Sequence, residues 1–285
     1  MINKDTIIVT DSSCDLSDET LEKLNIKMIP LRIITKTQEY RDRFELSPEE
    51  LYDIMENELP TSSLPLPEDV ENMYNKLYQE GYKNIIHLTI SSGLSGTYNM
   101  IKLVAEDFKD KLNIYVVDTK TLSGGLGTLV LRAVEELKIG TPIENIIEKI
   151  HALRQKQLGM FIVRTLEYLR KGGRIGLVEG VVGSLLQIKP VIFVNDDGIY
   201  QTISKARGFI KAKSTMMQQA IERYKNELVD IYIVHGLALE EAKEIAEKLK
   251  STLNIKNLTI APVSPVLAIH TGKGLIGMII TPVKA

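Results

Sequence analysis

The sequence predicts an α/β fold in two parts: an N-terminal domain on a parallel sheet and a C-terminal domain on a mixed sheet. Short β-type runs alternate with helical patterns up to about residue 157, which argues for parallel strands covered by helices. Beyond that point Asp197 and Gly198 sit between two apolar runs, a hairpin signal that brings antiparallel pairing. A chain of 285 residues with 44% hydrophobic residues also has apolar material for two ordinary cores. The boundary is expected near residue 157, giving domains 1–157 and 158–285.

In the first part, Thr6 to Thr10 reads as a strand, followed by a polar loop and a helical pattern with apolar Leu16, Leu21 and Leu24. Lys27 to Ile34 reads as a second strand. Ser47 and Pro48 look like the N-cap and first position of a helix through Met55. Pro67 opens another helix, with Val70, Met73, Tyr74, Leu77 and Tyr78 at the spacing of one face. A strand at Asn84 to Ile90, a helix from about Gly96 to Phe108, a strand at Leu112 to Val117 and helices at Gly124 to Leu137 and Ile143 to Gln155 complete this half.

In the second part, the strand Met160 to Val163 leads to a short helix and the turn Lys171 to Arg174. A mostly apolar helix is expected over Val178 to Ile188, then strands at Val191 to Val194 and Ile199 to Ser204. A long helix from about Gly208, a strand at Ile231 to His235, a helix at Leu239 to Thr252 and strands near Leu258 to Pro262 and Leu275 to Ile280 follow.

The formal net charge of -2, with 25% charged residues, gives no basic excess to attract nucleic-acid phosphates. The apolar run Ile7 to Val9 is too short for a signal peptide, and no stretch approaches the roughly 20 apolar residues of a membrane span. A cytoplasmic protein is therefore expected. Cys14 is the only cysteine, so neither an internal disulfide nor a thiolate metal cluster is expected.

Ligands of parallel sheets usually sit beyond the carboxyl ends of the strands, where this chain places polar loops. The segment SSGLSGTY, Ser91 to Tyr98, puts hydroxyls and glycines at a helix start, where backbone amides and Ser95 suit a carboxylate or phosphate oxygen; ordinary capping explains it equally well. Pro60 to Pro67 is a stiff loop whose Thr61, Ser62 and Ser63 precede a helix. Asp11, in TDSSCDL, reads better as a brace between loops than as a metal ligand. Of four histidines only His270 lies among glycines and a threonine, and no His or Cys pair has metal-ligand spacing. The run KGGR places Arg174 after two glycines, where it can reach a phosphate or a partner's carboxylate, although these residues alone read better as an exposed arginine at a helix end. SGGLG, at 123–127, lacks the G-x-G-x-x-G spacing of a dinucleotide site, and there is no Walker loop or kinase signature.

Taken in order, TDSSCDL, PTSSLP, SSGLSGTY, DTKTLSGGLG, LEYLRKGGRIG, KPVI followed by DG, and AIHTGKG resemble the segments of the DegV family nearly end to end. The resemblance implies a lipid held between the two domains, in a binding protein with no cofactor and no catalytic residues of its own. It implies that a long-chain fatty acid has its carboxylate bound by Ser95, by His270 and by a hydroxyl of the Pro60 loop. The family pattern there is Thr-Ser-Gln-Pro. Aligning Pro65 selects Ser62, aligning Thr-Ser directly selects Thr61, and the glutamine is missing in either case.

The partner implied is a separate ATP-binding fatty acid kinase subunit that phosphorylates the bound acid, with Arg174 at the contact. Burying about sixteen carbons at roughly 0.8 kcal/mol per methylene gives on the order of 12 kcal/mol of gross driving force, reduced by ordering and association. The segment Val178 to Ile188 is expected to form part of the acyl wall. Two alternatives stand beside this reading: an acyl or phosphoryl transferase using Ser95 as nucleophile and His270 as base, and a lipid-sensing regulator.

Overall fold

In the computed structural model, which describes residues 5–181 and 187–284, the apolar run at the start of the chain becomes an interior strand. This strand, β1 (Thr6–Asp11), is buried along its whole length, as a strand covered on both faces requires. A 3-10 turn at Ser12–Cys14 leads to α1 (Asp18–Lys23), whose first turn is capped by Ser17. Then come β2 (Lys27–Ile29), β3 (Arg32–Ile34), β4 (Glu39–Arg41), α2 (Pro48–Met55), β5 (Thr61–Ser63) and α3 (Pro67–Gln79). The first half closes with β6 (Asn84–Thr89), α4 (Thr97–Glu106), β7 (Asn113–Asp118), α5 (Gly124–Lys138) and α6 (Ile143–Lys156). Four of these strands form a parallel sheet in the order β2-β1-β6-β7.

The single strand expected over Lys27 to Ile34 is two strands in two sheets. Pro30 has no N–H to give a ladder, and the chain leaves the parallel sheet there. The Leu31 N–H donates instead to Ser12 Oγ at 3.0 Å. Past this break β3 pairs antiparallel with β4 and β5 in a small sheet of order β4-β3-β5. The loop expected at Pro60 to Pro67 thus contributes an edge strand. The α2 start matches its sequence signature: Ser47 accepts from the Glu50 N–H and Glu50 accepts from the Ser47 N–H.

The second half contains β8 (Leu158–Ile162), α7 (Glu167–Lys171), a 3-10 helix at Gly176–Val181, β9 (Ile188–Val194), β10 (Tyr200–Arg207) and α8 (Phe209–Tyr224). After these lie β11 (Leu228–His235), α9 (Leu239–Lys250), β12 (Asn254–Pro262), α10 (Pro265–Thr271) and β13 (Ile276–Pro282). Six strands form a mixed sheet in the order β10-β9-β8-β13-β11-β12, in which β11 and β12 run parallel and the other neighbours antiparallel. Gly198 takes φ +77 in the β9–β10 turn, the left-handed conformation read from its sequence.

The helix expected over Val178 to Ile188 is not what the described residues form. Val178 lies in the 3-10 helix, Ile188 already begins β9, and 182–186 lie outside the described residues. Pro190 biases the residue before it toward extended geometry, which favours a strand at the C-terminal end of this run.

Strand alternation gives the mixed sheet two apolar faces. Leu158, Met160, Ile162, Ile231, Ile233 and Met278 share a core with α8 and α9. On the opposite face Tyr232, Val234 and Ile279 join Ile8, Leu88 and Leu126 of the first half in one buried cluster. The two sheets thus meet through apolar surface, and the strand-end loops of the first half abut this second face.

Candidate functional site

The β3–β5 register pairs Ile33 with Ser62 and fixes where the hydroxyls of the Pro60 loop point. Ser62 is half-buried and its Oγ lies 2.7 Å from His270 Nε2. Thr61, one residue earlier, is exposed and lies off the cavity wall. The alternative left open by the sequence therefore has an unequal geometry: Ser62 faces the histidine and Thr61 does not.

His270 sits in the last turn of α10, a helix held at its start by two aspartates of the first half. Asp15 accepts from the Ser264 N–H at 2.9 Å, and Asp42 accepts from the Val266 N–H at 3.0 Å. Carboxylates suit the positive end of the helix dipole. Both are fully buried: burial pushes the Asp42 carboxyl up to about 7, against hydrogen bonding and the charge of Arg43, and it raises Asp15 as well.

His270 is 8% exposed. Burial, assisted by the Arg174 charge, lowers its pKa to about 4, so the imidazole is neutral at pH 7. Among the described residues its Nδ1 has no hydrogen-bond partner, and it lies against the Gly172 backbone, where a Cβ would collide with the ring. An unmet lone pair facing a C–H is a smaller loss than an unmet N–H donor. The favoured tautomer therefore carries its proton on Nε2 and donates to Ser62 Oγ. That leaves the Ser62 O–H to donate to a ligand.

Ser95 and Arg174 reach the same space from opposite halves of the chain. Ser95, ahead of α4, bonds Thr97 Oγ1 at 2.8 Å and accepts from the Thr97 N–H. Arg174 donates to Leu94 O at 3.3 Å and Gly172 O at 2.7 Å, and forms no ion pair among the described residues. With Ser62, Ser63 and His270 these residues line a cavity of about 260 Å³, walled otherwise by leucines, Ile90, Val266 and Tyr200. Among the described residues none that line it is acidic. The chamber thus offers hydroxyl and guanidinium donors and no competing carboxylate.

Leu122, Tyr200 and Leu267 also form one wall of a second, apolar cavity of about 50 Å³. Phe161, Val194, Val234, Val263, Leu275 and Ile279 enclose most of the rest. A polar chamber that shares a wall with an apolar bore between two sheets suits an amphiphile with an acceptor head group. None of the described residues in the Val178 to Ile188 segment lines either cavity.

A family model described as "Uncharacterised protein, DegV family" matches residues 5–283. The chain belongs to the DegV family. It is 40% identical over 273 residues to a DegV domain-containing protein of Clostridium acetobutylicum, covering 96% of this chain and 97% of that one. A solved structure described as fatty acid binding of a DegV family protein from Thermus thermophilus superposes with TM-score 0.91 at 30% identity, covering 98% of this chain and 99% of the other. A stearic acid-binding protein from Eubacterium ventriosum superposes with TM-score 0.88 at 31% identity, covering 96% and 97%. The two-domain α/β architecture is that of the Thermus thermophilus DegV structure.

Within this DegV chain the remaining motif residues brace the cavity. Asp11 accepts from the Ser13 N–H at 3.1 Å and the Ile90 N–H at 2.7 Å, which ties the loop after β1 to the end of β6. Asp15 accepts from Ser123 Oγ, joining the GGLG segment to α10. Ser91 Oγ donates to Gly198 O at 2.7 Å, and Arg154 donates to Asn195 O at 2.7 Å, clamping the β9–β10 turn onto the first half. Among the described residues no group of three or more His, Cys, Asp or Glu side chains is placed to hold a metal ion, and no helix is long and apolar enough to cross a membrane.

Ser95, expected as nucleophile in the transferase alternative, bonds Thr97, while the hydroxyl on His270 is that of Ser62. Sequence reading also passed over Asp42 and Tyr200. Asp42 lies in a charged stretch that reads as surface, and nothing local marks either residue as part of a distant wall.

Proposed function

We propose that this chain binds a long-chain fatty acid between its two domains, with the carboxylate in the Ser62, Ser95 and His270 chamber and the acyl chain in the adjoining apolar bore. The observation that carries this is a set of donors with no acidic neighbour among the described residues, sharing a wall with an apolar cavity. The structural relatives described as fatty-acid-binding proteins support the same ligand class. Charge-assisted hydrogen bonds from Ser62 and Ser95 orient the head, and burial of the tail supplies affinity. The bore, at about 50 Å³, is smaller than the cavity of about 150 Å³ that accommodates benzene, so its side chains turn aside as the tail enters.

The chain acts as the non-catalytic, cytoplasmic half of a pair. It holds the carboxylate for a separate ATP-dependent fatty acid kinase subunit, which Arg174 helps to engage while the acyl chain stays buried. Support comes from the position of Arg174 on the wall of the head-group chamber.

The test compares stearic acid with stearyl alcohol in equilibrium binding at pH 7. Each charge-assisted bond contributes about 1.5–3 kcal/mol, so the alcohol should bind at least roughly tenfold more weakly. Equal affinity would remove the head-group assignment. Acyl-phosphate formation when this chain, the acid, ATP and a kinase subunit are combined, and not when either protein is omitted, tests the division of labour.

A further inference from the structure

Gly159 occupies a position where nothing about the fold calls for glycine. It lies in β8, paired on one side with β13 and adjacent on the other to β9, so it is interior to the sheet. Its φ is not in the left-handed region, and a Cβ built on it would meet a single atom within 4 Å among the described residues, Ile279 Cγ1 at an ordinary 3.7 Å. Glycine inside a strand weakens it, and it often marks close approach of a ligand. Leu158, Met160 and Ile162 point into the helix-covered core, so residue 159 shares the opposite face with Phe161 and lines the apolar bore.

Gly277 lies on that same face one strand over, opposite Phe161, while Gly159 is opposite Ile279. The two glycines thus bare a diagonal strip of sheet along the bore. They differ in one respect. A Cβ on Gly277 would fall 2.6 Å from Val234 Cγ2, so packing alone explains that glycine. Packing does not explain Gly159.

We infer that Gly159 is a specificity-determining residue that sets how long an acyl chain this protein accepts, because its missing side chain leaves the sheet surface open to the far methylenes. This rests on the fatty-acid reading above. A β-branched residue at 159 is compatible with a strand and would project into the bore, displacing the end of a long tail while leaving a shorter one and the carboxylate chamber, which residue 159 does not line, untouched.

The experiment measures equilibrium binding of stearic and myristic acids to the full chain and to Gly159→Val, with Gly159→Ala as a smaller step and Gly277→Ala as a packing control. Excluding about two methylenes lowers stearic acid affinity of Gly159→Val by roughly tenfold. Myristic acid affinity should change less than about twofold, so the ratio between the acids is the readout, and Gly159→Ala should move it in the same direction. Should Gly159→Val fold poorly, the ratio in Gly159→Ala decides. An unchanged ratio in folded variants would overturn the role of Gly159 and leave the fatty-acid reading intact. If the unsubstituted chain binds neither acid, both readings fall together.

Discussion

Ser62 and His270 are 208 positions apart in the chain and meet at 2.7 Å, one on an edge strand of the first half and the other on a short helix of the second. The contact closes the head-group chamber across the boundary between the two sheets. Its geometry makes the histidine a donor to Ser62 and passes the outward donor role to the serine hydroxyl.

Removing either partner should weaken fatty-acid binding. Ser62→Ala and His270→Ala are each expected to cost roughly 1.5–3 kcal/mol of binding, about 10- to 100-fold in affinity. Ser95→Ala combined with His270→Ala should lower affinity without unfolding the chain. Thr61→Ala, off the cavity wall, should bind as the parent does. Titration calorimetry with stearic acid separates these outcomes, and equal losses for Thr61→Ala and Ser62→Ala would reverse the assignment.

Gly172 should prove unable to accept even a methyl group. Its backbone φ of -76 suits any residue, but an added Cβ would collide with His270 Nδ1. Gly172→Ala should therefore lose about 1–3 kcal/mol of stability through overpacking and bind fatty acid more weakly as His270 moves off Ser62. Denaturant melts and binding isotherms read both effects. A neutral Gly172→Ala would show that the ring has room to move.

Stability should depend on pH through Asp42. Its folded pKa is raised to about 7 by burial, above its ordinary 3.8, so its contribution is full below pH 3.8 and is lost as pH rises through 7. Asn at this position still accepts from the Val266 N–H and does not ionise. Relative to the parent, Asp42→Asn should thus gain a few kcal/mol between about pH 4 and pH 8. Urea melts of both proteins across that range provide the check, and a pH-independent difference would contradict the burial argument.

For Arg174→Ala the expected result is intact fatty-acid binding and impaired acyl-phosphate formation with a kinase subunit. Lipid-binding assays and product analysis by mass spectrometry divide the two effects. Lost lipid binding would make Arg174 a head-group ligand instead.

The elements that local chemistry governs were legible in the sequence. Ser47 and Pro48 announce α2, and Asp197 with Gly198 announces the β9–β10 hairpin, because each depends on neighbours within a few residues. The split at Pro30 was available in the same terms, since a missing N–H breaks a ladder, yet the uniformly apolar run around it reads as one strand. The small sheet was hidden because β3, β4 and β5 are three residues each and β5 joins β3 from beyond α2. Ser95, His270 and Arg174 were reachable through motif resemblance, whereas the choice between Ser62 and Thr61 required the β3–β5 register. Asp42 bonds Val266 and Gly159 lies opposite Ile279, partners distant in sequence, so their surroundings became visible only in three dimensions.

The most direct test of the central claim is mass spectrometry of the lipids released when the protein, purified from bacteria, is denatured. A long-chain fatty acid near one equivalent per chain is the expected result. A lipid-free extract, together with failure of the refolded or native protein to bind added stearic acid, would contradict it.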